Sequence, residues 1–289
     1  MKVRAFAPAK INLTLDIVGR REDGYHLLES VMQTVDLCDT VTATYADDEN
    51  IHLTCDGGIP CDATNTAYRA ATLFRQAVGL SYGFVITVEK QIPSQAGLAG
   101  GSSDAAAVLV ALNVLTKAEL STDALCAIGA QIGADVPFCV QGGTVLCTGI
   151  GTDLTPLSPM TTCTVVIVKP RGGVSTPEAY RLLDTADYLE HPDTDAMCDA
   201  IKQGNLIGVA QHVGNSFERP LNLPHTATIR RQMDRYGAIA SALSGSGSAV
   251  FGLFENEETA QDAVSALSVD YPQTFLCRPC NGIRCEIVE

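Results

Sequence analysis

Pro93-Ser94-Gln95-Ala96-Gly97-Leu98-Ala99-Gly100-Gly101-Ser102-Ser103-Asp104-Ala105-Ala106 joins an apparent strand to an apparent helix. Ahead of it, Phe84-Val85-Ile86-Thr87-Val88-Glu89 alternates as a half-buried strand does, and the run from Asp104 to Leu115 is rich enough in Ala, Leu and Val to read as a buried helix. The three glycines between them let the backbone approach an anion closely. Ser102, Ser103 and Asp104 are residue types that cap a helix, whose unpaired N–H groups and positive dipole end favour phosphate. The spacing is neither that of a Walker loop, since no Gly-Lys-Ser/Thr follows, nor that of the dinucleotide fingerprint. The segment therefore predicts a phosphate cradle of another kind.

Upstream, Ile11, Leu13, Leu15 and Ile17 alternate with Asn12, Thr14 and Asp16, the period of a strand with one buried face, so Lys10 and Asn12 project from the same side. Gly19 to His26 reads as an exposed, glycine-bounded turn that presents Tyr25 and His26 side by side. Strands are expected at Val41–Tyr45 and Ile51–Cys55, and a helix at Thr66–Val78 capped by Asn65 or Thr64. Downstream, a helix near Thr122–Ile132 stops at Gly133, and Ala134-Asp135-Val136-Pro137-Phe138 forms a turn before a strand at Thr144–Thr148. Thr155-Pro156-Leu157-Ser158-Pro159 is the expected linker, which divides the chain into domains 1–157 and 158–289. The second half opens on a buried strand at Thr164–Val168. Helices near Pro177–Leu183, Asp195–Lys202, Leu206–Val213 and Thr226–Tyr236 follow, then Ser244-Gly245-Ser246-Gly247-Ser248, a strand at Ala249–Phe254, a helix at Glu257–Leu267 and a last strand at Ile283–Val288.

Composition bounds the function. The 289 residues carry 19 basic and 33 acidic side chains, a net charge of -14, with no basic cluster, so nucleic acid is not an expected partner. A helix terminus and one or two lysines outweigh dispersed charge at short range, so a phosphorylated ligand remains compatible with the acidic chain. Eleven cysteines in a chain of this size without an export signal read as reduced thiols. No apolar run reaches the roughly 20 residues of a membrane span, and a cytoplasmic location is expected.

Phosphoryl transfer needs the phosphate oxygens neutralised, the acceptor hydroxyl placed in line, and its proton received. The glycine segment offers the first service, with Ser103 as the residue to hold the magnesium ion of a nucleotide. Asp135, between Gly133 and Pro137, is the candidate base, although an Asp ahead of Val-Pro also serves as an ordinary turn or cap residue. Lys10 at a strand edge is of a type that is usually a solvated charge or an edge guard; with Asn12 on the same face it could instead pair with Asp135 and stabilise charge on the transferring group. Tyr25 and His26 in one loop suit a ring-shaped ligand. Ser244 to Ser248 is either a flexible turn or a second nest of N–H groups.

Together these segments resemble the GHMP kinase superfamily, whose three motifs look like Pro8-Ala9-Lys10-Ile11-Asn12-Leu13, Pro93 to Ala106, and Leu243-Ser244-Gly245-Ser246-Gly247-Ser248. Arg20 to His26 and Gly133 to Phe138 look like signatures of its non-mevalonate isoprenoid branch, which acts on a cytidine-diphosphate-linked methylerythritol. The resemblance spans essentially the whole chain. It implies an α+β two-domain fold with the active-site cleft between the domains, and ATP with Mg2+ as co-substrate. It also implies Asp135 and Lys10 as catalytic groups, Asn12 near the acceptor 2-hydroxyl, Tyr25 and Tyr180 sandwiching the cytosine, and His26 reading its edge. Asn65, Lys90 and Gln91 would lie near adenine, and residues 93–104 around the phosphates. Ala99 stands where the family usually has glycine, and Tyr180 where phenylalanine is frequent. The expected assembly is a monomer or homodimer without membrane partners. Homoserine- or mevalonate-type kinases are the alternatives within the fold, and a catalytically silent nucleotide or sugar-phosphate sensor is the alternative outside catalysis.

Overall fold

The computed structural model describes residues 1–288. The first half runs β1 (Lys2–Asn12), β2 (Thr14–Arg20), β3 (His26–Tyr45), β4 (Ile51–Cys55), α1 (Thr66–Val78), β5 (Phe84–Glu89), α2 (Gly100–Thr116), α3 (Thr122–Ala130), α4 (Asp135–Gln141), β6 (Thr144–Thr148) and β7 (Asp153–Pro156). The second half runs β8 (Thr164–Lys169), α5 (Thr176–Asp184), α6 (Thr194–Lys202), α7 (Leu206–His212), β9 (Gly214–Asn215), α8 (Glu218–Leu221), α9 (Thr226–Arg235), β10 (Ala240–Leu243), β11 (Val250–Phe254), α10 (Glu257–Leu267), β12 (Gln273–Cys277) and β13 (Arg284–Val288). A large mixed sheet centres on β3, which pairs antiparallel with β1, β2, β5 and β6, and a smaller sheet runs β10-β11-β8-β12. The fold is the expected α+β arrangement.

The sequence dictates these elements locally. Asn65 Oδ1 accepts from Ala67 N at 2.8 Å and caps α1, which ends on left-handed Gly79. Helix α2 is apolar on every side because it is enclosed: every residue from Ser103 to Leu109 is buried, between the large sheet and helices α1 and α4. Three buried clusters flank the sheets, one of them packing Leu15 and Ile17 of β2 with Val166 and Val168 of β8, Phe217 and Phe254. A second gathers Phe74, Phe84, Leu109 and Phe138 under the first-half helices, and a third joins Ile11, Leu13 and Val35 of the large sheet to Val165, Ile167 and Phe251 of the small one.

Three expectations change. The strand around Lys10–Ile17 is two strands, β1 and β2, and it is buried on both faces, since Asn12, Thr14 and Asp16 are as enclosed as Ile11 and Leu13. The Ala134–Phe138 turn is the start of helix α4, because Pro137 falls in the first turn, where its missing N–H has no intrahelical partner to lose. The linker begins later than expected, as Thr155 and Pro156 belong to β7, and β13 returns to pair with β1, so the last strand of the second half completes the sheet of the first.

Candidate active site

The loop from Pro93 to Ala99 lines a cleft of about 1410 Å³. Gln95, Gly97 and Ala99 have φ of 52°, 76° and 56°, and the residues between them do not share that sign. Such alternation turns successive N–H groups toward one side and makes an anion-binding concavity. Helix α2 begins at Gly100, earlier than expected, with left-handed Ala99 as its N-cap. The first helical bond runs from Ser103 N to Ala99 O at 2.8 Å, which leaves the N–H groups of Gly100, Gly101 and Ser102 for a ligand. The cap assignment to Ser102, Ser103 and Asp104 is therefore corrected. Ser103 is also turned away from the cleft: its side chain is fully buried and Oγ donates to Pro8 O at 2.7 Å, while Ser102 lines the opening. Among the described residues no three acidic, His or Cys side chains converge as a metal site.

Ala99→Gly is expected to change the unfolding free energy by no more than about 1 kcal/mol. Relief of a left-handed alanine is offset by the larger unfolded-state entropy of glycine and the lost methyl contact with the core. Urea unfolding of the two proteins measures it.

Lys10 and Asn12 end β1 on one side of the strand, as their spacing predicted. Lys10 Nζ donates to Asn12 Oδ1 at 2.7 Å and lies 4.0 Å from Asp135 Oδ2. Asn12 is fixed on every polar atom, since Oδ1 also accepts from Gly245 N at 2.9 Å and Nδ2 donates to Ser30 Oγ at 2.8 Å. Lys10 is 4 % exposed, whereas the Asp135 side chain is 35 % exposed and opens to the cleft from the first residue of α4. A buried ammonium thus stands beside a carboxylate that faces the cleft. The Ser244–Ser248 segment is no free nest, because the N–H groups of Gly245 and Gly247 are engaged by Asn12 and Ser244.

Lys90 lines the cleft, yet its ammonium is held between two carboxylates, Asp39 and Asp104, the latter at 2.5 Å. Asp39 is fully buried, and its Oδ1 accepts from the N–H groups of Gln91 at 2.5 Å and Ile92 at 2.8 Å. This buried cluster anchors the chain just ahead of the phosphate loop. Nothing in the sequence spacing signalled Asp39. Gln91 itself does not line the cleft, and the Asn65 amide is engaged as a cap and with Pro60 O at 2.6 Å. The pocket wall next to Asn65 instead comprises Cys55 at the end of β4, Ile59, Pro60 and Thr64 of the loop that follows, and Thr66 at the start of α1, none of them read as site residues in the sequence because nothing in their spacing shows that the loop folds over the cleft.

Burial pushes the Asp104 carboxyl up to about 7, against the pull of Lys90 and with the repulsion of Asp39, and its Oδ1 has no hydrogen-bond partner. An acid whose folded value is raised binds more protons folded than unfolded, so its contribution to stability is present near pH 4 and is lost as pH rises toward 7. Asp104→Asn removes that dependence. The wild-type minus variant unfolding free energy, from urea titrations, is expected to fall by on the order of 2 kcal/mol across that window.

The ring cluster sits at the other end of the cleft. His26, at the start of β3, stacks on Tyr180 of α5 with centroids 4.6 Å apart and planes at 27°, and Tyr180 meets Phe217 edge-on at 5.0 Å. Tyr25 is 63 % exposed in the preceding turn. The cleft therefore contains Lys10, Asn12, Asp135, the phosphate loop, Tyr25, His26 and Tyr180 together. Its volume exceeds the 300–1,000 Å³ usual for one small ligand and suits two ligands end to end.

Models of the GHMP kinase N-terminal and C-terminal domains match residues 65–143 and 185–273. A 4-diphosphocytidyl-2-C-methyl-D-erythritol kinase of Clostridium perfringens is 41% identical over 287 residues, covering 98% of this chain and 99% of that protein. The chain belongs to this family of GHMP kinases. A member from Geobacillus thermodenitrificans is 44% identical over 282 residues, covering 96% of this chain and 97% of the relative. A crystal structure of 4-(cytidine 5'-diphospho)-2C-methyl-D-erythritol kinase superposes with a TM-score of 0.83 at 35% identity, over 96% of this chain and 100% of that one. This GHMP kinase chain thus carries its family's motifs on one continuous cleft.

Proposed function

We propose that the chain transfers the γ-phosphoryl group of ATP to the 2-hydroxyl of 4-diphosphocytidyl-2-C-methyl-D-erythritol, in the cytoplasm. The observation that carries this is the Lys10–Asn12–Asp135 group opening onto the same cleft as the phosphate loop, in a chain that matches such kinases along its length. The N–H groups of Gly100, Gly101 and Ser102 hold the phosphates, and Lys10 offsets the charge that grows on the transferring group. Asp135 receives the proton of the acceptor hydroxyl, which Asn12 and Lys10 place beside it. Ser102, and not Ser103, is the hydroxyl that would hold a magnesium ion brought by ATP, whose charge would offset that of the phosphates. At the far end Tyr25 and Tyr180 flank the cytosine and His26 reads its edge, its ring turning about the contact of Nε2 with Asp184 to leave the face of Tyr180 that it covers.

A coupled assay of ADP release with the cytidyl substrate, homoserine and mevalonate tests the reading. Release with the first alone is expected. Release with homoserine or mevalonate, or none with any, would overturn it.

A further inference from the structure

Helix α5 touches His26 twice. Tyr180 covers one face of the imidazole, and Asp184, four residues later and so on the same side of the helix, meets its edge with Oδ1 2.7 Å from Nε2. The other oxygen of Asp184 lies 3.4 Å from an Arg20 guanidinium nitrogen. The His26 side chain is 11 % exposed, so this edge has little access to water and the carboxylate is its partner. No sequence motif singled out Asp184.

A carboxylate accepts hydrogen bonds only, so the nitrogen facing it carries the hydrogen. In the neutral ring the remaining nitrogen is then an acceptor. From this geometry, resting on the cytidyl reading above, we infer that Asp184 is a positioning residue that holds His26 as the Nε2–H tautomer. Nδ1 is thereby presented as an acceptor for the exocyclic amino group of an aminopyrimidine. Cytosine offers a donor at that position. Uracil offers a carbonyl oxygen, and two acceptors brought together leave both unsatisfied. Base selectivity in this kinase is thus set from the Nε2 edge of the imidazole, by a residue that acts through His26.

The test has two arms. Long-range proton–nitrogen correlation spectra of the His26 ring, taken without substrate at about pH 8, above the ordinary imidazole range, read the tautomer directly. The Nε2–H form is expected in wild type and in Asp184→Asn, whose side-chain oxygen still accepts, and a mixture in Asp184→Ala. The second arm is kcat/KM for the cytidyl substrate against its uridyl analogue. A wild-type preference of roughly tenfold or more is expected to shrink by about tenfold in Asp184→Ala, chiefly through KM, and to persist in Asp184→Asn. A wild-type Nδ1–H tautomer, or an Asp184→Ala enzyme with an unchanged preference, overturns the inference. A wild type inactive on both substrates would refute the cytidyl reading and its base selectivity, while the tautomer assignment would be decided by the spectra alone.

Discussion

Replacement of Asp135 by asparagine is expected to lower kcat by roughly 10²–10⁴-fold, the range of a general base, with little change in ATP affinity. Asparagine keeps the shape and one acceptor oxygen but cannot take up the hydroxyl proton. The phosphate loop stays intact because its anchors, Asp39, Ser244 and the start of α2, do not involve Asp135. The charge at the first position of α4 is lost, a helix-dipole effect of about 0.3–1 kcal/mol, so folding survives. Steady-state kinetics with calorimetric titration of ATP would show it. A variant within tenfold of the wild-type kcat would remove Asp135 from the role of base.

Gly97→Ala is expected to cost on the order of 3 kcal/mol of stability and to weaken ATP binding at the same time. A Cβ at this residue would lie 1.9 Å from Ser244 O, 2.8 Å from Ser244 C and 3.2 Å from Gly247 N, all backbone atoms of the neighbouring motif, and φ is +76°. Neither segment can yield alone. Ser244 Oγ donates to Gly97 O at 3.0 Å, and Ala249 N donates to Ala96 O at 3.0 Å. Separating the segments would also displace Gly245, whose N–H orients Asn12 beside Lys10. Urea unfolding and ATP titration of Gly97→Ala test both effects, and wild-type values in both would refute the steric argument. Gly97 and Ala99 share a left-handed backbone, but only Gly97 lies against another backbone, so only Gly97 is obliged to be glycine.

What the sequence disclosed follows from where the signal was local. Strand β5, helix α1 with its Asn65 cap and helix α10 announce themselves by period and capping residues, and Lys10 with Asn12 by the two-residue repeat of a strand. Most of β3 stayed hidden. From Ser30 to Val35 it is buried on both faces, with Ser30, Gln33 and Thr34 as enclosed as Val31 and Met32, so no apolar–polar alternation marks it; its ladder with β1 also shifts register where Pro8 faces Cys38 but Ala9 faces Val35, which leaves Asp36 and Leu37 as extra residues. The corrected role of Ser103 was hidden for another reason: at a helix start adjacent hydroxyls point about 100° apart, and only packing against Pro8 decides which one enters the core. The Asp39–Lys90–Asp104 cluster joins residues far apart in sequence, and Asp184 meets His26 across 158 positions. Contacts of that kind belong to tertiary structure, and one unaligned chain does not display them.

Strand β3 has His26 at its first residue and Asp39 well along it, so one continuous piece of backbone runs from the ring cluster to the carboxylate beneath the phosphate loop. Side chains along a strand change face at every step. A single residue gained or lost between those points would therefore reverse which face one end presents relative to the other, and the two halves of the cleft would no longer be in phase. The two extra residues at Asp36 and Leu37 preserve that parity, being an even number. Loops around the cleft are free to drift in length, whereas β3 is a gauge that tolerates change only in steps of two.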